Sequence, residues 1–416
     1  MPKFSLTLPS LFLFIAVTLV MATCPSFELF AATWTLQSSD ATQEEEASAK
    51  TDLQPIIDTL NNPRKRLAKA AAAVKLADHQ DQYQEFAVPL AGLLLDGDRV
   101  LNDIAKRIFK DLGKKSIEAL NPDFDGDIDD LRIVCSVINA VGDDGAEYTP
   151  QLLNILKTSD DPSRRTAATY ALTGFSHGNA EAIDLIIPDL DSSDMNVTLF
   201  AMRLIIKTGP QAKQAAPKLI ELYNDGVPSQ RGYAAWSLAA ISPVEGFDTA
   251  EAADKMLNRF TVSERERGLI AAGILGKAAE SSLKKVEEMM ANNRTNIEGQ
   301  AAVTYWRITG DGDTAARRLI ELTKNDMYYE INGLKLIAEL GPAAEPALEL
   351  LLEKLKSPDS STRVLALDAI QAIGPAASIH RPEIEKVAEE DGDPIVRLTA
   401  RQLLKTLPAP ATETKK

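Results

Sequence analysis

The sequence predicts an all-α superhelix, a solenoid of about ten helical hairpins. Three observations carry that prediction. A glycine-centred break returns about every 33 residues, as from Gly341 to Gly374 in the repeated string "GPAA". Between breaks, apolar residues follow helical spacing. Sustained two-residue alternation is absent, and the one Asn-Gly pair among apolar residues, "INGL", sits inside a helical pattern.

The chain begins with Lys3 and a short apolar run, Leu11 to Ala22, with small residues at Val20 and Ala22. That is the layout of an export signal, cut after Ala22 or after Ala32. The run is short for a membrane span, so no span remains once it is removed; an uncleaved anchor is the alternative. Cys24 has Thr23 before it, where a lipoprotein signal carries Gly, Ala or Ser, which argues against lipidation. The expected location is exported, periplasmic or extracellular. The expected organisation is a signal peptide at 1–22, a disordered acidic linker at 23–53, the solenoid at 54–407 and a disordered tail at 408–416.

Within the solenoid each unit reads as two helices. In the Gly341 unit, Leu348, Leu351, Leu352 and Leu355 make one apolar stripe. Pro346 falls in its first turn, where a missing N–H costs nothing, and Pro89, Pro150, Pro217 and Pro382 occupy the same place elsewhere. The second helix, "TRVLALDAIQAI", is apolar on several sides, and Gly374 with Pro375 ends it. Corresponding breaks fall at Gly310, Gly276, Ser242, Gly209, Gly174, Gly142 and Gly113. One hairpin cannot cover its own apolar faces, so units must stack, and terminal units differ from the rest. "LAKAAAAVKLA" near the start is such a departure. The expected outline is a curved rod.

The second helices carry a finer signature, Asp, then Arg four on, then Ala three further: Asp161, Arg165, Ala168; Asp359, Arg363, Ala366; Asp393, Arg397, Ala400. Here the sequence resembles HEAT-repeat proteins, specifically the short HEAT-like repeats first grouped with phycobilisome lyases, over roughly Gln54 to Leu407. The resemblance implies a structural ladder of Asp161, Arg165, Arg231, Arg267, Asp359, Arg363, Asp393 and Arg397 linking neighbouring units. Thr198, Gln300 and Glu330 stand in the Arg place and Val227 replaces an Asp, so the ladder is expected to break mid-chain.

No catalytic centre, metal site or cofactor is expected. The three histidines, His79, His177 and His380, lie far apart in predicted connections. The HEAT-repeat hydroxylases carry His-Glu pairs, and this chain has none. "DFDGDIDD", from Asp123, lacks the Gly and Glu of a calcium loop, since its sixth and twelfth places are Ile128 and Val134. "GDGD" at Gly310 lacks the Lys-Ser or Lys-Thr of a phosphate loop. Cys135 reads as a small buried hydrophobe. A net charge of −15 opposes nucleic-acid binding, the role of HEAT-like DNA glycosylases. Bilin lyases share the repeat pattern, but an export signal removes the chain from their compartment.

One column stands apart. Five residues beyond each Arg place the series reads Arg107, Val137, Tyr170, Arg203, Trp236, Ala272, Tyr305, Lys335, Asp368 and Gln402. Its aromatics and bases are the residue types that dominate binding surfaces. In the HEAT-like family the second helices line the concave surface. Arg107, Tyr170, Arg203, Trp236, Tyr305 and Lys335 are therefore the candidate partner-binding residues. The competing reading wedges the rings between units as core, with Arg stems lying along them. The expected function is a non-catalytic scaffold of the cell envelope that binds protein, with an acidic peptide or glycan suited to the groove. The alternative is a glycan- or wall-binding accessory or sensor subunit of an envelope enzyme.

Overall fold

The computed structural model describes residues 51–408, apart from 63–65, 96, 293–295 and 326–327. The signal segment with Cys24, the linker up to residue 50 and the tail from 409 lie outside the described residues. The chain divides into two units, Met1–Gln54 and Pro55–Lys416, and the helical series occupies the second.

Among the described residues the α-helices run, in order, α1 (Gln54–Leu60), α2 (Arg66–Leu76), α3 (Tyr83–Leu95), α4 (Arg99–Leu112), α5 (Lys114–Ala119), α6 (Ile128–Val141), α7 (Thr149–Thr158), α8 (Pro162–Leu172), α9 (Ile183–Ile186), α10 (Met195–Thr208) and α11 (Ala216–Asp225). They continue as α12 (Pro228–Ala240), α13 (Thr249–Leu257), α14 (Val262–Leu275), α15 (Leu283–Ala291), α16 (Glu298–Thr309), α17 (Gly312–Asn325), α18 (Tyr329–Leu340), α19 (Leu348–Lys354), α20 (Ser360–Ile373), α21 (Arg381–Glu390) and α22 (Pro394–Thr406). From α4 onward each even-numbered helix packs on the even-numbered helices before and after it, and on the odd-numbered partner of its own unit. The architecture is an all-α superhelix of stacked helical pairs.

The recurring glycine has a backbone cause. Gly142, Gly209, Gly276, Gly341 and Gly374 end even helices with φ between 55° and 77°. At Gly341 ψ is −132°, a region that a Cβ makes costly. A short 3₁₀ turn follows in each case, as at Gly341–Ala347 and Gly374–His380. The proline of "GPAA" opens this turn at its first or second position, where its locked φ fits and no donor is lost. Ala344 and Ala347 are fully buried on that turn, so "PAA" is a packing element as well as a stop. Gly174 departs from the pattern, since the positive φ in that unit falls on Gly178. Pro89 departs too: it lies within α3, which starts six residues earlier at Tyr83. Pro346 lies in the 3₁₀ turn rather than in the helix that follows.

Even helices start from an Asp cap where one is present. Asp161, Asp359 and Asp393 accept from the N–H of Ser163, Thr362 and Ile395. These aspartates therefore hold their own helices and do not link units. The links come from the arginines. Arg165 grips Asp189 of the next unit through Nε and Nη2 at 2.9 Å each, and also donates to the Leu156 and Leu185 carbonyls. Arg231 reaches Glu264, and Arg363 reaches Asp391, with contacts of 2.8–3.0 Å. Arg397, near the end of the series, donates to the Asp391 carbonyl. Glu330 stands in the Arg place and meets Lys354 at 3.3 Å, a rung with its charges exchanged. Thr198 fills its place with a buried hydroxyl aimed at the Asp189, Ser192 and Asp194 carbonyls. Arg267 is not a rung. Counted from the Thr261 cap of α14, the rung position is Arg265, which donates to the Arg259 and Phe260 carbonyls.

The series does not run out into two free ends. The last even helix, α22, packs against the first, α2. Three ion pairs fasten the junction: Arg107 to Asp368 and Arg401 to Asp78, both 2.6 Å, and Lys405 to Asp111, 3.0 Å. Gln402 of α22 also donates to the Arg107 carbonyl of α4. The curved rod is thus corrected to a superhelix whose first and last units touch. The alanine run of α2 acquires a reason here. Ala73 is fully buried, while Ala70 and Ala71 line a cavity of about 490 Å³ between α2, α4, α18, α20 and α22. Short side chains let α2 fit between its neighbours α4 and α22.

Candidate partner-binding face

The seam settles where three members of the predicted column sit. Arg107, Lys335 and Asp368 all line the 490 Å³ cavity. Since Arg107 and Asp368 lie on the first and last parts of the series yet bond directly, the even helices face inward there. Arg107 is neutralised by a member of its own column, so it is a closing contact, not a free contact for a partner. Lys335 is exposed at the cavity edge. The remaining lining is mostly apolar, with Val100, Ile104, Val364 and Leu365 among it.

Tyr305 goes the other way. Its ring packs against the buried cluster that includes Leu269, Val286, Ala301 and Ile308. It serves as a wedge between units, as the competing reading of the column has it. Val137 and Ala272 are fully buried.

Tyr170, Arg203 and Trp236 belong to a continuous strip over α8, α10, α12 and α14. The Tyr170 ring meets Phe200 edge-on with centroids 5.5 Å apart. The Arg203 guanidinium carbon lies 5.3 Å from the Phe200 centroid. Tyr233 and Trp236 stack, 5.7 Å apart and inclined by 18°. Arg267 covers both, 4.8 Å from the Tyr233 ring and 5.6 Å from Trp236. Cation–π contacts of this kind hold a guanidinium over a ring face. Phe200 and Tyr233 were not among the predicted partner-binding residues, and Arg267 was assigned to the ladder instead. Phe200 and Tyr233 each lie three residues before a column member, which is the neighbouring place on a helix face.

The strip is electropositive in an acidic chain. Burial raises the Tyr233 phenol pKa, but hydrogen bonding from Arg203, and the charge and hydrogen bond of Arg267, outweigh it and bring the group below its usual range. Two donors here have no acceptor among the described residues: the Trp236 indole N–H and the Arg267 Nε–H are screened from water and unbonded. Beside them, Tyr170 and Phe200 line a cavity of about 330 Å³ with Arg132, Pro162, Asn196 and Val197.

Among the described residues no group of three or more His, Cys, Asp or Glu side chains is placed to hold a metal ion. The acidic turn at Asp123 is folded on itself. Asp123 accepts from the N–H of Asp125 and Gly126, and Asp127 caps α6. Arg164 donates to the Phe124 and Gly126 carbonyls. Cys135 is fully buried on α6, and burial pushes its thiol up to about 12. Among the described residues no helix is long and apolar enough to cross a membrane.

Fold and face together define an α-solenoid of stacked helical pairs, with half-buried Arg rungs between units and an Arg-aromatic strip on the inward helices. No protein-family model and no curated protein matches the chain. Solved structures similar to it include the complex of CpcE and CpcF of phycocyanin lyase from Nostoc sp. PCC7120, with a TM-score of 0.41, 18% identity, and coverage of 62% of this chain and 94% of that one. An engineered protein gives a TM-score of 0.31 and 17% identity over 86% of this chain and 99% of its own. The karyopherin Kap121p, bound to the extreme C-terminus of the protein phosphatase Cdc14p, gives 0.39 and 14% over 84% of this chain, which spans 45% of Kap121p.

Proposed function

We propose that this chain is a non-catalytic scaffold that binds other proteins on its inward face, and that it works outside the inner membrane. The observation that carries the reading is the strip of Tyr170, Phe200, Arg203, Tyr233, Trp236 and Arg267, six adjoining side chains of the types that anchor interfaces. Nothing in the repeat needs bases and rings there, because apolar residues would stack the helices as well. The location rests on the apolar segment Leu11–Ala22 and its small flanking residues.

The glycan alternative has less support. A sugar ring stacks on an open aromatic face, and here Tyr233 and Arg267 already lie against Trp236.

The test is crosslinking in intact cells followed by capture, with the native chain compared against a Tyr170→Ala, Arg203→Ala, Trp236→Ala variant. A partner crosslinked to the native chain and lost from a still-helical variant supports the reading. A set of crosslinked proteins that is the same for both chains overturns it. Fractionation of the same cells tests the location, and recovery in the cytoplasm sinks that part.

A further inference from the structure

Resting on the scaffold reading, we infer that the junction of α10, α12 and α14 is a carboxylate site that takes an acidic side chain of a bound protein segment. This junction carries three observations that point the same way.

Arg203 forms no ion pair among the described residues. It stands exposed over Phe200, in a chain with 60 acidic residues and 45 basic ones. Arg267 is held by Glu266 at 3.1 Å and by the Tyr233 hydroxyl at 3.4 Å, yet its Nε–H has no acceptor. The Trp236 N–H, in the ring under Arg267, has none either. Unbonded donors shut away from water are costly, and native structures keep few of them. Two at one junction are donors for which the described residues supply no acceptor. A carboxylate has two oxygens with lone pairs for several donors, and it matches a guanidinium in shape and charge. Arg267 is the cover over Trp236, so an incoming carboxylate that draws the guanidinium outward gives both donors an acceptor.

The neighbouring 330 Å³ cavity at Tyr170 and Phe200, lined by Arg132, Ser163, Asp194 and Asn196 as well as by Pro162 and Val197, leaves room for a further side chain of the same segment. The occupied faces of Trp236 favour a peptide over an acidic sugar.

The experiment uses the purified protein and three probes: a capped hexaglutamate peptide, capped hexaglutamine, and hexagalacturonate. Binding is followed by calorimetry and by the indole N–H resonance of Trp236, assigned through Trp236→Phe. Hexaglutamate is expected to bind saturably and to move that resonance downfield, with hexaglutamine silent. Arg203→Gln and Arg267→Gln should each weaken binding by roughly tenfold to a hundredfold, the usual effect of losing a charge-assisted hydrogen bond. Trp236→Phe, which keeps the ring and drops the donor, should weaken it by less.

Absence of saturable binding, or binding indifferent to all three substitutions, overturns the proposal. Tighter binding of hexagalacturonate than of hexaglutamate replaces the peptide by an acidic glycan and also overturns it. If a crosslinked partner depends on the strip while hexaglutamate fails, the scaffold reading stands and the carboxylate site falls. If hexaglutamate binds but no partner depends on the strip, the site stands and the scaffold reading falls.

Discussion

Reversing one charge at the seam, Asp368→Arg, should separate the first and last units while leaving every hairpin intact. Arg107 and Asp368 meet at 2.6 Å with side chains 24% and 30% exposed, so water screens the pair in part. Such a pair contributes about 0.5–1 kcal/mol. The two companions, Arg401–Asp78 and Lys405–Asp111, are more exposed on at least one side and contribute no more than that each. The ionic part of the seam is then about 1–3 kcal/mol. Turning one attraction into a repulsion of similar size changes it by about 1–2 kcal/mol, a factor of roughly five to thirty in the open-to-closed ratio. One molar salt should act in the same direction, because the screening length falls from about 10 Å at 0.1 M to about 3 Å.

Solution scattering gives the maximum dimension, and amide exchange in α2 and α22 reports the seam directly. The variant should be longer and exchange faster in those two helices, with helical content unchanged. The exchanged pair, Arg107→Asp with Asp368→Arg, should restore both. Identical scattering and exchange for the native chain, the variant and high salt would refute the ionic account. So would an open variant that the exchanged pair does not close, since steric crowding would then be the cause.

Further outcomes follow from the rungs and the backbone. Arg363→Ala leaves Asp391, 9% exposed, without its partner, and should cost about 3–5 kcal/mol in denaturant unfolding; a loss under 1 kcal/mol would mean water replaces the rung. Gly341→Ala puts a Cβ at φ 58° and should cost about 1–3 kcal/mol although its nearest neighbour, the Ala372 carbonyl oxygen at 3.7 Å, is at ordinary contact distance, which a melting curve checks. Glu264 has its pKa held down: burial pushes it up, but Thr261 and Arg231 more than offset that. The stability it lends is present above the unfolded carboxylate value and is lost as pH falls through the lower folded value. Glu264→Gln should therefore flatten the acid limb of stability against pH, and an unchanged limb would assign the acid sensitivity to other carboxylates.

The repeat was legible in the sequence because its causes are local. A glycine at positive φ, a proline opening the turn after it, an Asp cap and a helical stripe each act within a few residues, so Gly341, Pro375, Asp359 and Leu351 announce themselves one unit at a time. Register is less local. Arg267 follows Glu266 and Arg265, and only the Thr261 cap decides which of the two arginines is the rung. The partners of Arg165, Arg231 and Arg363 were out of reach for the same reason, since their carboxylates come from the next unit at no fixed spacing. Half the column divided between uses the sequence could not separate: Trp236 lies under Arg267 on the strip, Tyr305 wedges in the core, and Arg107 closes the seam. That closure was decided by tertiary structure alone. Each unit's pattern fixes contact with its neighbours, but whether α22 arrives beside α2 depends on small rotations summed over the whole series. No single residue states that sum.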